Sequence, residues 1–199
     1  MFLTIAMNKP LKVVGMDPSL RNWGMSKTLY DPESQSLEIL EFGLIQPDIP
    51  TAKSFRQSEK DIIAAQQLFT QAYHFAKDAD IVCVEVPVGS QSSRAMVSYA
   101  TCTSVIGSLI AMGFQVVCVT PVDVKKVIGN PQASKHEVIE WVRKLHPLAP
   151  FPTYKKGGQV LISEAKAEHL CDSVVAIYAG MKKKRFLQLV TGSYPPVAA

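Results

Sequence analysis

Residues 12–17 read KVVGMD, a short apolar stretch that ends in an acidic residue. Residues 81–85 read IVCVE and end in the same way. Short apolar stretches of this kind predict β-strands, and the continuous apolar character of residues 81–85 favours a strand buried on both faces of a sheet. Two strands that each end in a carboxylate are the feature from which the rest of the chain is interpreted.

The chain between these two stretches predicts the first part of a sheet. Residues 23–30 and 37–45 are two further strand candidates, and the turn at residues 31–34 between them indicates a hairpin. From residue 55 to residue 76 apolar side chains recur every three or four positions, which predicts an amphipathic helix. The expected start is therefore three antiparallel strands followed by a helix.

The second half of the chain alternates between helix and strand. Residues 92–112 predict a helix rich in small side chains, residues 114–119 a fifth strand, and residues 163–181 a final helix. Ser134 and Glu137 have the spacing of a capping box, which indicates the start of another helix. This order predicts an α/β protein with an RNase H-like mixed five-stranded sheet flanked by helices. A Rossmann fold is disfavoured, because no G-x-G-x-x-G follows the first strand.

The length of 199 residues suits one domain with short extensions. Residues 1–10 predict a leader, residues 11–182 the folded domain, and residues 183–199 a basic, proline-containing C-terminal tail. Residues 147–162 contain three prolines, two adjacent lysines and two adjacent glycines, which predicts a mobile loop.

The composition excludes several classes of protein. Hydrophobic residues make up 47% and charged residues 19%, so the chain can bury a core and is not mainly disordered. No apolar stretch is long enough for a membrane span, and the first residues lack the features of a secretory signal. The four cysteines have no C-x-x-C spacing, which argues against a zinc ribbon and favours a reduced, cytoplasmic protein. The net charge of +4 permits a polyanionic partner without requiring one.

Acidic residues at the ends of predicted strands are the strongest candidates for chemistry. Asp17 and Glu85 end two strands, and Asp172 lies in an apolar part of the last predicted helix. Both Glu168 and His169 share a helix face with Asp172, so spacing does not choose between them. Converging carboxylates with a histidine suit Mg²⁺ or Mn²⁺ better than zinc. The competing interpretation gives each residue an ordinary structural role, such as a turn cap or an ion pair.

Three stretches resemble the motifs of the RuvC family of Holliday junction resolvases. Residues 14–24 (VGMDPSLRNWG) resemble its first motif, residues 82–85 its second, and residues 169–177 (HLCDSVVAI) its last. Between the second and last motifs, residues 121–129 contain two lysines and precede the capping box. They resemble a segment of the family that carries lysines near DNA. The resemblance spans residues 12–180, with four motifs in the expected order.

The resemblance implies an RNase H-like nuclease domain that resolves four-way DNA junctions by paired, metal-dependent phosphodiester cleavage. It implies two Mg²⁺ ions in each active site, with Mn²⁺ as a substitute. By position, Asp17 would contact both metals, and Glu85 and Asp172 would each hold one. His169 would either bind a metal or help to position the nucleophilic water.

The resemblance also implies partners. Lys125 or Lys126, and Lys135, match positions that approach DNA in the family, and the helix at residues 92–112 matches the one at its dimer interface. A homodimer acting on branched DNA is therefore expected, with four-way junctions preferred, no membrane association and no nucleotide cofactor. Roles in DNA recombination and repair would follow from this activity.

The sequence departs from the family's pattern in two places. Some family members carry an aromatic residue shortly after the second-motif glutamate, where residues 86–89 here are Val-Pro-Val-Gly. The loop at residues 147–162 is also longer than in the family's bacterial housekeeping enzymes. The compact, divergent form of the chain suits a phage or mobile-element version acting in the cytoplasm of a bacterium or an infected host.

Within that loop, Lys155 and Lys156 are candidate DNA contacts, and Phe151 and Tyr154 are candidates for stacking on bases. Packing of the loop on its own domain is the competing interpretation.

Two other functions are compatible with these features. The first is a nuclease of the same fold that acts on other branched DNA or on structured RNA. The second is a branched-DNA-binding module without catalysis, against which the intact set of Asp17, Glu85, His169 and Asp172 argues.

Overall fold

The computed structural model describes residues 9–193, and one mixed sheet of five strands forms its centre. The strands are β1 (Leu11–Asp17), β2 (Trp23–Asp31), β3 (Ser36–Ile45), β4 (Ile81–Glu85) and β5 (Val116–Val119). Their order across the sheet is β3-β2-β1-β4-β5. Strands β1, β2 and β3 pair antiparallel, and β4 and β5 extend the sheet in parallel with β1. The expected five-stranded mixed sheet is present.

Helices cover both faces of this sheet. They are α1 (Gln57–Ala76), α2 (Ser93–Ala111), α3 (Pro121–Ile128), α4 (Lys135–Leu145), α5 (Glu164–Met181) and α6 (Lys184–Val190). Helices α1 and α2 pack on each other and on one face, whereas α5 packs on the other face and is flanked by α3 and α4. The capping box predicted at the start of α4 is confirmed, because Ser134 and Glu137 exchange hydrogen bonds.

The alternation of side chains along β1 decides which of them face α5. Val14 and Met16 belong to the core under α1 and α2, whereas Val13 packs with residues of α5. Successive side chains of a strand point to opposite faces, so Asp17 lies on the α5 side. Strand β4 follows the same rule, because Val82 and Val84 face α1 and α2 while Cys83 packs towards α5. Glu85 therefore lies on the α5 side too.

The segment predicted as a mobile loop contains a β-hairpin, which corrects that prediction. Strands β6 (Thr153–Lys156) and β7 (Gln159–Ile162) pair antiparallel. Gly157 and Gly158 form the two-residue turn with φ values of 57° and 80°, a conformation that glycine adopts without strain. Almost every hairpin side chain is exposed, so the apolar alternation that identifies a strand is missing from the sequence.

Residues 184–190, in the expected C-terminal tail, form helix α6. Part of the predicted tail is helical, because α6 inserts the fully buried Phe186 edge-on against Tyr30, with ring centroids 5.3 Å apart. The basic residues 182–185 directly precede Phe186, so the sequence there resembles a solvent-exposed tail rather than a packed helix. Residues 1–8 of the expected leader and residues 194–199 of the expected tail lie outside the described residues. Between residues 9 and 193, no helix combines the length and apolarity needed to cross a membrane.

Candidate active site

Two carboxylates lie side by side at the carboxyl end of the central strands. Strands β1 and β4 are parallel neighbours in which Met16 pairs with Val84. Asp17 and Glu85 are the next residues on the two strands, and both lie on the face covered by α5. The register of the central strands therefore brings the two predicted acidic residues into one cleft.

Two strand glycines allow α5 to approach this end of the sheet. A Cβ atom on Gly24 would lie 2.1 Å from the carbonyl oxygen of His169, and one on Gly15 would lie 2.0 Å from that of Ser173. Any larger residue would therefore push the helix away from β1 and β2. By allowing this close approach, the two glycines position His169 and Asp172 of α5. This role was not predicted from the sequence, in which the only sign of it is that each glycine lies inside a predicted strand.

The result is a compact group of three side chains. His169 Nδ1 lies 2.8 Å from Asp17 Oδ2. One potential ligand atom from each of Asp17, His169 and Asp172 lies within 4.8 Å of the others. Glu85 is outside this group of three, but it lines the same 240 Å³ cleft as Asp17 and Asp172. The structure thus brings all four predicted catalytic and metal-binding residues to one place.

The pKa values of Asp172, Glu85 and His169 are shifted from their usual values. The pKa of Asp172 is raised to about 8, first by burial and then by the negative charges of Asp17 and Glu85. Burial followed by the charge of Asp17 likewise raises the pKa of Glu85 to about 7. The hydrogen bond to Asp17 raises the pKa of His169 above its usual value of 6.5. The raised pKa values of Asp172 and Glu85 show that nearby cationic groups do not compensate for the negative charge of these carboxylates.

Two lysines line the cleft without neutralising it. Lys125 of α3 lies near enough to Glu85 to oppose the rise in its pKa. Lys135 of α4 forms an ion pair with Glu168. This pair distinguishes the two α5 candidates: Glu168 faces a lysine, whereas His169 contacts Asp17.

The other predicted DNA contacts lie outside the cleft lining. Lys126 is exposed on α3, and Lys155 and Lys156 are exposed on β6. All three lysines are accessible to a polyanion.

The donor set fits a hard divalent cation. Three carboxylates and one imidazole converge, and burial without a matching cation is costly for carboxylates. Oxygen-rich sites of this kind suit Mg²⁺ or Mn²⁺ better than zinc. A cation would supply the positive charge that the cleft lacks.

The strand order, the helices on both faces and the acidic end of the sheet define an RNase H-like α/β fold of the RuvC type. RuvC from T. thermophilus in complex with a Holliday junction substrate superimposes with a TM-score of 0.57 at 18% identity, covering 86% of this chain and 96% of that one. A second T. thermophilus RuvC structure gives a TM-score of 0.54 at 21% identity, with the same coverage.

A eukaryotic protein has the same fold. The yeast mitochondrial Holliday junction resolvase Ydc2 gives a TM-score of 0.55 at 14% identity, covering 93% of this chain and 84% of that one. No protein-family model matches the sequence, and no curated protein matches it. The expected RNase H-like fold is confirmed by the structural likeness.

Proposed function

We propose that this chain is a metal-dependent, structure-selective endonuclease that resolves four-way DNA junctions by paired phosphodiester cleavage. The observation that carries this proposal is that Asp17, Glu85 and Asp172 line one cleft at the end of the central strands, with His169 in contact with Asp17. The likeness to solved junction resolvases supports the choice of substrate.

Four side chains would hold the metal ions. Asp17, Glu85 and Asp172 offer carboxylate oxygens, and His169 offers a ring nitrogen. When bound, two Mg²⁺ ions (or Mn²⁺ in their place) supply charge that activates a water molecule and stabilises the leaving oxygen of a phosphodiester.

His169 is oriented by its contact with Asp17. An ionised carboxylate only accepts hydrogen bonds, so the contact with Asp17 Oδ2 makes Nδ1 the donor. The other ring nitrogen, Nε2, is then the one that can bind a cation or take a proton from water. The hydrogen bond therefore selects the tautomer that chemistry at this site needs.

Lysines around the cleft would hold the DNA backbone. Lys125 and Lys135 line the cleft itself, while Lys126, Lys155 and Lys156 are exposed outside its lining. Contacts of lysines with phosphates supply affinity that does not depend on base sequence, which suits an enzyme that recognises the shape of a junction.

A homodimer would place two such clefts on one junction. Helices α1 and α2 leave an apolar groove of 450 Å³ between them, in which Ile62 is 68% exposed and Val97 is 44% exposed. A second copy of the chain would cover this surface, and paired cuts on a two-fold junction need two sites. Light scattering should give twice the 21.8 kDa chain mass; a monomer with and without junction DNA would reject this part.

The decisive experiment is cleavage of a labelled synthetic four-way junction with Mg²⁺, beside a linear duplex of the same sequence and an EDTA control. Paired, symmetrical cuts in the junction alone, abolished by EDTA, are the expected result. Cleavage of flaps or structured RNA in place of the junction would reassign the substrate. Tight junction binding without any cleavage would favour a binding module.

A further inference from the structure

A second cavity lies between α4 and the β6–β7 hairpin. This groove has a volume of 410 Å³, within the range of small-ligand sites. Its apolar wall is formed by Ile139 of α4 and by residues 160–162 of the hairpin. Tyr154 also lines it, and its side chain is 47% exposed. An aromatic ring beside an apolar wall, open to solvent, suits a flat apolar ligand with polar edges.

The groove adjoins the candidate active site. His136 and Glu164, which pair at 3.1 Å, line the groove, whereas Lys135 and Glu168 line the catalytic cleft. Residues 135 and 136 are neighbours on α4, and residues 164 and 168 are one turn apart on α5. A polymer bound in the cleft can therefore continue into the groove.

The two aromatic residues of this segment have different environments. Phe151 is half-buried and packs against Phe42, with ring centroids 5.7 Å apart. Packing of Phe151 against the domain therefore explains why an aromatic residue stands at this position. The side chain of Tyr154 has no ring partner and no hydrogen bond in the described part of the chain. Of the two candidates for base stacking, Tyr154 is the available one.

The charge of the segment favours a polyanionic ligand. Between Glu140 and Glu164, 23 residues include four Lys or Arg and no acidic residue. Lys155 and Lys156 follow Tyr154 on β6 and form no ion pair among residues 9–193. The two acids of the groove are paired, Glu140 with Arg143 at 3.0 Å and Glu164 with His136.

The exposure of the hairpin also favours a role in binding substrate. A two-stranded hairpin with both faces exposed buries little apolar surface and contributes little to the core. Its Gly-Gly turn holds the two strands in a defined register, in which Tyr154 pairs with Leu161. An ordered, exposed, basic element beside a catalytic cleft is suited to contact the substrate.

We propose that the groove binds one unpaired nucleotide of the branched DNA, with its base stacked on Tyr154 and an adjacent phosphate held by Lys156, which lies on the same face of β6 as Tyr154. This inference rests on the proposed function and specifies how a junction would be distinguished from a duplex. A continuous duplex keeps its bases stacked within the helix, whereas the branch point can present an unstacked base. Tyr154 thereby selects substrate without acting in the chemistry.

The test uses the full chain and a four-way junction with one 5-iododeoxyuridine at the branch point, in EDTA to prevent cleavage. Ultraviolet irradiation should join this base to Tyr154, identified by mass spectrometry of the cross-linked peptide. Tyr154→Leu should abolish the cross-link and raise the junction Kd about tenfold, with little change for linear duplex. Tyr154→Phe keeps the ring and should preserve both properties.

The phosphate contact is tested separately. Replacing Lys156 by alanine should lower the magnitude of the salt slope of junction binding by about one. Lys77→Ala removes an exposed lysine at the C-terminal end of α1 and should leave the slope unchanged.

The outcomes separate this inference from the proposed function. A junction that wild-type protein cleaves with Mg²⁺, but whose affinity and cross-linking are unaffected by Tyr154→Leu, overturns the groove assignment and leaves the function intact. A junction that is neither cleaved nor bound in preference to duplex rejects both. Cross-linking to another residue also overturns the role of Tyr154.

Discussion

The pKa values of two aspartates, one at each end of the central sheet, are shifted in opposite directions. At the end where β1 begins, Asp78 lies between two lysines, 2.9 Å from Lys12 and 3.1 Å from Lys27. Hydrogen bonds from these lysines lower the pKa of Asp78 to about 2. At the end where β1 and β4 finish, burial and neighbouring carboxylates raise the pKa of Asp172 to about 8.

The difference separates a structural ion pair from a candidate functional site. Asp78 has cationic partners, and its charge is stabilised by the folded state. The folded state opposes ionisation of Asp172, so its charged form is costly without a bound cation. Perturbed carboxylates that share a cleft are therefore better evidence of function than carboxylates that are already paired.

The largest difference between the two ends should appear in catalysis. Asp17→Asn and Asp172→Asn each remove a negative charge needed to bind metal, and we expect each to lower junction cleavage at least about a thousandfold. Asp78→Asn should leave the cleavage rate within about twofold of wild type. The measurement is single-turnover cleavage of a labelled four-way junction with Mg²⁺.

Junction binding is the control for these variants. Asp17→Asn and Asp172→Asn should bind the junction at least as tightly as wild type, since they leave the surrounding lysines in place. Cleavage by Asp17→Asn at the wild-type rate would show that the assigned metal site is wrong.

A second difference should appear in stability when metal is added. Mg²⁺ that binds only the folded protein stabilises it by about 2.7 kcal/mol at a concentration of 100 Kd, which corresponds to a rise in Tm of about 5–10 °C for a domain of this size. Asp78→Asn should retain this rise, and Asp172→Asn should lose most of it. Differential scanning calorimetry, with EDTA-treated protein as the reference, measures both; an equal rise in the two variants would contradict the comparison.

A third difference concerns the pH dependence of metal-free protein. The folded-state pKa of Asp172, about 8, is above its unfolded value, so its stabilising effect is present at low pH and is lost as pH rises towards 8. The folded-state pKa of Asp78, about 2, is below its unfolded value, so its effect is present above about pH 4 and is lost as pH falls towards 2. The two aspartates thus favour opposite ends of the pH range.

Thermal unfolding in EDTA tests these signs. Asp172→Asn should raise Tm relative to wild type at pH 8 and by less at pH 5, because ionisation of the buried carboxyl destabilises the folded state increasingly as pH rises. Asp78→Asn should lower Tm at pH 7, with a difference that shrinks between pH 5 and pH 3. A pH-independent gain for Asp172→Asn would show that its carboxyl is not perturbed by the cleft.

The sequence predicted the acidic end of the sheet better than its surroundings. Strand-ending acids at residues 17 and 85 can be recognised locally, because a short apolar stretch and its last residue are adjacent in the chain. The choice between Glu168 and His169 could not be made from the sequence. Both share a helix face with Asp172, and the contact that distinguishes them is the ion pair between Glu168 and Lys135, which lie on different helices.

The hairpin shows a second limit of the sequence. Its strands have no buried face, so their residues follow no apolar alternation, and the prolines before it indicate a loop. Only the two glycines of the turn carried a signal for a hairpin. Elements that face solvent on both sides are placed by their contacts with the rest of the fold, and these contacts span distant parts of the chain.

The smallest expected effect is on the salt dependence of junction binding when a lysine is removed from either end of the sheet. Lys135→Ala should lower the magnitude of the slope of log Kd against log salt for junction binding by about one, whereas Lys77→Ala should leave it unchanged. Lys135 is paired with Glu168, so its removal also leaves an uncompensated carboxylate beside the bound phosphates. Combining Lys135→Ala with Glu168→Gln removes that repulsion and should recover affinity while keeping the reduced slope. An unchanged slope in both variants would mean that Lys135 serves only to neutralise Glu168, as Lys12 and Lys27 neutralise Asp78, and the two ends of the sheet would then differ in their acids alone.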